Sequence, residues 1–407
     1  MKRVLSFLSL MLMVSLAGEL GLAAAPVVDR DPFSDKNILR TAKYLVAKQD
    51  FLGFRCLIRR AYGLKISAVT WDGLRGLILV NAGHAGYDLI ALWNDRHPTG
   101  KSSIDKSLEA ADALMLSRKF EEAFAQYSAV AKQLKQTMDQ VKQIGKPGKR
   151  NRALELKSEA WRQEARRLYP FVLHSMGRAL YGARRYAEAL LVYHWLPPDY
   201  PYLRQVLFEK MWAAFRYGRP EIALGAVASQ KSTYFSTYLH PESYLLETYL
   251  FRKMCRTDDL NNAEAEIQEY QASLAKDQIS NWAVNDLSSR LLWKLATIDL
   301  ARTPGQPVIS RAARQREQEL IKRTFGQIYA KAKPGIQKGL ELALAYSRLS
   351  ATATGAGPLK AIENFASRDE YLKRNLEVWP SDSREDWIDE IGMHQFIGES
   401  QCEKASK

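Results

Sequence analysis

The chain of 407 residues is poor in the residues that build reactive centres, with three cysteines and six histidines. No two of Cys56, Cys255 and Cys402 are close in sequence and no histidine-rich tract accompanies them, which excludes a zinc knuckle or thiolate cluster. His84, His97, His174, His194, His240 and His394 form no pair at metal-binding spacing on one helix, and His-Glu-x-x-His is absent. There is no Gly-x-Ser-x-Gly elbow, and Gly355-Ala-Gly357 is a fragment of a dinucleotide fingerprint with no strand before it. Acids gather near the C-terminus at Glu377, Glu385, Asp386, Asp389 and Glu390, but the tail is too short to form a separate domain that would hold a catalytic carboxylate in an apolar pocket. Metal, cofactor and catalytic residues are therefore expected to be none.

Long apolar runs are scarce as well. One stretch, Val4 to about Ala17, follows Lys2 and Arg3 and leads into Ala23, Ala24 and Ala25. This is the layout of a cleaved secretory signal peptide over 1–25, and the run is short for a membrane span, with Glu19 interrupting its extension. Nothing later reaches membrane length, so no stable transmembrane anchor is expected, and the mature chain is read as periplasmic or secreted.

What the chain has in excess is positive charge: +14 overall, and +13 once Lys2, Arg3 and Glu19 are removed. Such a balance suits acidic partners: anionic head groups, cell-wall polymers or acidic proteins. Export argues against nucleic acid. The densest basic run is Lys132, Lys135, Lys142, Lys146, Lys149, Arg150 and Arg152, opposed by Asp139 alone; the plain reading of such a run is a solvated helix end. In an oxidising compartment three cysteines give one disulfide and one thiol. Three pairings are open. Cys402 with Cys255 is preferred, because it would fasten a fraying tail to mid-chain by closing a loop of about 147 residues, worth up to about 4–5 kcal/mol in the chain-entropy model.

Helical periodicity runs through nearly all of the rest. The run Leu77, Ile78, Leu79, Val80 is the best strand candidate, but its length and neighbours favour a helix interrupted by Gly83 and Gly86. Between Leu173 and Pro201 lies one near-complete helical hairpin. Leu173, Met176, Gly177 and Leu180 share a face, Ala189 and Tyr193 follow after a break, and Pro201 closes the unit. Gly177 and Ala189 must be small because the paired helices touch there. Ala123 with Tyr127 repeats the Ala189 and Tyr193 pair after a turn at Ser117, Arg118 and Lys119. Ala223 stands 34 residues beyond Ala189, after Gly218, Arg219 and Pro220. The region from Ala131 to Arg167, with a loop at Gly145, Pro147 and Gly148, reads as a stretched or degenerate repeat, and a further hairpin spans Pro241 to Leu274 with Asp258 and Asp259 at its turn. Beyond Gln278, amphipathic helices are marked by Trp282, Leu287, Leu291, Leu295 and Ile298, then by Leu320 to Ile328, then by Leu340, Leu344 and Leu349. Breaks are expected at Pro304 to Pro307, at Lys333 and Pro334, and at Ala351 to Pro358.

These hairpins resemble tetratricopeptide repeats over about Lys106 to Leu274, with Leu173 and Leu180 departing from the usual tryptophan and tyrosine. The tail from Glu377 through Trp387, Asp389, Glu390 and Ile391 to Cys402 resembles the C-terminal signature of a group of exported tetratricopeptide proteins from predatory and gliding bacteria. In that group a Trp-x-Asp-Glu-Ile/Leu segment precedes a terminal cysteine and a second cysteine sits in a mid-chain repeat turn. The resemblance implies a scaffold role, a disulfide between Cys255 and Cys402, and no catalytic residue; some members are linked to envelope-spanning or motility machinery.

The expected fold is all-α, a right-handed superhelix of tetratricopeptide-like hairpins with an α-helical C-terminal cap. Its parts are the signal peptide at 1–25, an N-terminal helical region at 26–105, the repeats at 106–277, and C-terminal helical repeats or cap at 278–407. Trp379, Trp387, Ile391 and Phe396 are expected to bury on the last helices. Aromatics from Tyr169 to Tyr249 are mostly packing, with Arg178, Tyr181, Arg185, Arg216 and Tyr217 chosen as the face for an acidic or carboxylate-bearing protein partner. The function expected is a non-enzymatic periplasmic adaptor in a cell-envelope complex; the alternative is a factor that binds peptidoglycan or anionic polymer through its basic surface.

Overall fold

A computed structural model describes residues 31, 33–86, 88–94, 103–144, 152–232, 234–235, 238–276, 287–302, 308–348, 391–396 and 401–402. Residues 1–30, Trp282, Pro304 to Pro307, Ala351 to Pro358, and the Glu377 to Glu390 stretch with Trp379 and Trp387 lie outside the described residues, as do the side chains of Lys142, Lys146, Lys149, Arg150 and Arg152.

The fold is all-α. Among the described residues there are fourteen α-helices and no strand. In chain order they are α1 (Asp35–Ala47), α2 (Phe51–Ala61), α3 (Ala68–Ala85), α4 (Asp88–Asn94), α5 (Ser103–Leu116), α6 (Phe120–Ile144), α7 (Arg152–Gly182), α8 (Tyr186–His194), α9 (Leu203–Tyr217), α10 (Pro220–Gln230), α11 (Pro241–Lys253), α12 (Thr257–Ala275), α13 (Leu287–Ala296) and α14 (Arg311–Ser347). Among the described residues no helix is long and apolar enough to cross a membrane.

One turn recurs five times. After α1, α5, α7, α9 and α11 the chain takes a left-handed residue: Gln49, Arg118, Arg184, Gly218 and Cys255. The next amide donates to the carbonyl five residues back, from Asp50 to Leu45, Lys119 to Leu114, Arg185 to Leu180, Arg219 to Ala214 and Arg256 to Phe251, all at 2.8–2.9 Å. This bond satisfies a carbonyl that the helix end would orphan, and the following helix starts at once in the return direction. Arg184 to Gly218 is 34 positions and Gly218 to Cys255 is 37. From Arg118 to Arg184 is 66, and the reason is helix length: α6 has 25 residues and α7 has 31, so the stretched repeat appears as two lengthened helices.

The small residues fall where these hairpins close. Ala123, Ala189 and Ala223 are all fully buried, and a methyl built on Gly177 would come 2.8 Å from Cδ1 of Tyr193. Leu77 to Val80 lies inside α3, which passes through Gly83 and stops at Gly86, where φ is +103°.

One expectation is overturned. Lys333 and Pro334 do not break the chain, because α14 runs unbroken through Pro334 for 37 residues. An interior proline costs about 3 kcal/mol, and packing on both sides offsets it. The first half of α14 buries Ile321 and Phe325 beside Leu295, and the second half buries Leu340, Ala343 and Leu344 against the core of α11 and α12. The same helix meets the N-terminal unit α1–α4. Buried Arg55 donates to Glu317 at 3.0 Å and to Asp88 at 2.7 Å, Arg59 joins both carboxylates, and Arg314 pairs with Asp50. The final long helix thus ties the start of the described chain to its last repeat turn.

Candidate functional site

Two polar arrangements stand out, one inside the hairpins and one along α10. The first joins α7, α8 and α9 through Glu209. Arg178 donates to its carboxylate at 2.7 and 2.9 Å, His174 Nε2 lies 3.0 Å from it, and the Tyr193 hydroxyl donates at 3.1 Å. The other ring nitrogen of His174 meets the Tyr200 hydroxyl at 3.0 Å. Burial alone would raise the Glu209 carboxyl, but the hydrogen bonds from His174 and Arg178 hold it below the ordinary glutamate value. At neutral pH Glu209 is therefore an ionised acceptor and not a proton donor. His174, Arg178, Tyr193, Tyr200 and Glu209 are joined by hydrogen bonds, so the physical effect of the seam is to fix the register of three helices.

The residues picked for partner binding divide on this basis. Arg178 is committed to Glu209, and Arg185 at the start of α8 is held by Glu188 at 2.6 Å and Glu121 at 2.8 Å while lying over the Phe124 ring. Tyr181 is half-buried with its ring edge-on to Tyr186 at 5.4 Å. Arg216 and Tyr217 are exposed at the C-terminal end of α9, Tyr217 by 51 %. The five do not form one cluster of free side chains; only the α9 pair offers open surface.

The second arrangement corrects the expectation that Ile391 and Phe396 bury on the last helices: Ile391 is buried in a mid-chain core and Phe396 packs beside Phe251 and Arg256. Residues 391–396 lie along α10, running opposite to it. The Gly392 amide donates to Ser229 Oγ at 3.1 Å, His394 Nδ1 meets the same oxygen at 2.9 Å, and the Phe396 amide donates to the Glu221 carbonyl at 3.0 Å. Ser229, Gly225 and Glu221 are spaced by four, so they share one face of the helix. Residues 391–393 form a turn, with Gly392 at a φ of +90°, and His394 to Phe396 carry no regular secondary structure. Alternate tail residues still match successive turns of α10: Gly392 meets Ser229, His394 meets Gly225 and Phe396 meets Glu221. Ser229 spends its single hydroxyl proton on the Gly225 carbonyl at 2.9 Å, which leaves His394 to donate from Nδ1.

Gly225 is the pivot. A methyl there would overlap the His394 carbonyl oxygen and sit 2.8 Å from Cα of Gln395, and its nearest neighbours are all atoms of the tail. Lys210 reaches from α9 to the Gly392 carbonyl, and burial pulls its ammonium down to about 8. Ile391 is buried in the α7–α9 core, whereas Met393 on the alternate side is 53 % exposed. The Phe396 ring packs 5.8 Å from Phe251 and lies under the Arg256 guanidinium at 5.0 Å. Farther on, the Gln401 amide donates to Met254 at 2.8 Å, and Cys402 is bonded to Cys255, with Cα atoms 4.9 Å apart. Cys255 occupies the left-handed position of the last recurring turn. Cys56 is the remaining thiol, with burial pushing it up to about 12.

Comparison with family models, curated proteins and solved structures finds no match, so the reading of this site rests on its own geometry.

Proposed function

We propose that the chain is an exported, non-enzymatic scaffold whose tetratricopeptide-like hairpins wind into a right-handed superhelix and hold protein partners of a cell-envelope complex. The observation that carries the reading is the recurrence of one turn geometry at 34 and 37 positions, with fully buried alanines at Ala123, Ala189 and Ala223. Stacked hairpins of this kind expose long surfaces suited to other proteins. The Cys255–Cys402 bond agrees with an oxidising compartment. Engagement of Glu209 by His174, Arg178 and Tyr193 leaves no free acid in the seam, which favours a structural role over catalysis. For an acidic protein, Arg216 and Tyr217 are the accessible anchors.

The second reading, binding of peptidoglycan or an anionic polymer, draws on the charge of +14 and on exposed Lys132 and Lys135 along α6. Crosslinking capture from the native envelope, wild type against Arg216→Ala/Tyr217→Ala, separates the two. A protein whose recovery falls at least fivefold with the double variant and persists at about 0.5 M salt supports the scaffold, because charges on open surfaces are screened there. Retention only on purified cell wall, abolished by salt and indifferent to the variant, refutes it.

A further inference from the structure

We propose that the channel along α10 is a peptide-binding groove in which residues 391–396 are the resident internal ligand. Its partner in trans is a protein segment of the same chemistry: a turn at an apolar residue and a left-handed glycine, then a hydrogen-bonding side chain and an aromatic ring at alternate positions. This rests on the scaffold reading and deepens it, naming the site and the class of ligand.

Three observations carry it. The first is the repeat match, in which Gly392, His394 and Phe396 meet Ser229, Gly225 and Glu221 in turn. An unrelated loop resting on a helix would not keep step with its turns. The second is the nature of the contacts: the Gly392 amide and carbonyl and the Phe396 amide are all bound, so the groove reads backbone first and accepts a chain that can take the same turn at a glycine. The third is Gly225, where the three atoms nearest to an added methyl all belong to the tail backbone.

Selectivity comes from three side chains. Ile391 enters the α7–α9 core, His394 donates to buried Ser229, and Phe396 fills the place between Phe251 and Arg256. The fastening lies outside this segment, at Cys402. With the bond closed the tail is tethered at both ends and its effective concentration excludes a competitor; with the bond open it is tethered at one end alone, through the stretch between Arg348 and Ile391, and its effective concentration falls. The disulfide therefore sets how readily the groove takes a segment from another protein.

The probe is a fluorescein-labelled peptide of residues 391–400, IGMHQFIGES. The receptor is the full chain with a weakened tail, Ile391→Asp/Phe396→Ala/Cys402→Ser. The peptide is expected to bind this receptor at least tenfold more tightly than it binds the oxidised wild-type chain, and Gly225→Ala added to the receptor is expected to weaken binding at least tenfold. Equal binding to oxidised wild type, no binding to a receptor whose circular dichroism matches wild type, or indifference to Gly225→Ala would each overturn the proposal. If the triple variant loses helix, the wild-type chain under dithiothreitol serves instead. Excess unlabelled peptide must then speed amide exchange of Gly392 and Phe396 at least tenfold in the reduced chain and leave the oxidised chain unchanged; no change in the reduced chain overturns the proposal. Failure to capture an envelope protein would count against the scaffold reading alone, whereas failure of the peptide to bind would count against the groove alone.

Discussion

Gly225→Ala is the perturbation on which helix and tail disagree. Taken as a helix, α10 should welcome it, since alanine is better than glycine in a helix interior by about 1 kcal/mol. The tail cannot remain, because the new methyl would occupy the place of the His394 carbonyl. Ejecting residues 391–396 loses the burial of Ile391, about 1.5–3 kcal/mol, and four hydrogen bonds, to Glu221, from Lys210 and two to Ser229, at about 0.5–1.5 kcal/mol each. It returns backbone entropy to six residues at roughly 1–2 kcal/mol each. Gain and loss offset to within a few kcal/mol, so global stability should move by no more than that while the tail itself is released. Hydrogen exchange read at individual amides resolves this: in the oxidised variant Gly392 and Phe396 should exchange at rates near those of an unstructured peptide, and the core of α10 should stay protected. Gly326→Ala, where an added methyl meets nothing within 4 Å, is the control and should leave the tail untouched. A Gly225→Ala protein that gains about 1 kcal/mol and keeps its tail amides protected would refute the description of the channel.

Gly177→Ala should destabilise by about 1–3 kcal/mol in urea unfolding, because the methyl presses on the buried Tyr193 ring in a closed interface; a stabilised protein would contradict the packing. Arg118→Gly and Gln49→Gly, both at left-handed turn positions, should stabilise by about 1 kcal/mol each by relieving the crowded Cβ, measured the same way. Glu209→Gln should cost roughly 2–3 kcal/mol, since it removes the charge that Arg178 and His174 share, and a loss under about 0.5 kcal/mol would argue that the seam is not formed. In pH titrations of stability, Lys210 has a folded pKa of about 8 against an ordinary 10.5, so above pH 8 the native state gives up a proton that the unfolded chain keeps and stability rises. Past about pH 10 the sign reverses, because burial holds Tyr193, Tyr244 and Tyr270 above the ordinary tyrosine value and the unfolded chain then binds fewer protons. Lys210→Met should erase the rise and keep the fall.

The local features of the hairpins were written in the residues themselves. A helix–helix contact tolerates only a small side chain at its closest point, so Gly177, Ala123, Ala189 and Ala223 marked where helices would touch. Among three candidate pairings of cysteine, the one that fastened the tail to mid-chain was the preferred one and is the one formed. What sequence could not supply were features that depend on distant partners. Pro334 reads as a break because local propensity disfavours it, and the helix persists only because both of its halves are clamped by elements far away in the chain. Arg178 looked available because its partner, Glu209, lies 31 positions on in another helix. Nothing in the sequence sets Gly225 apart; that its missing side chain makes room for a backbone 169 positions later was decided by tertiary structure alone, since periodicity along a helix says which residues share a face and is silent about what comes to lie on it.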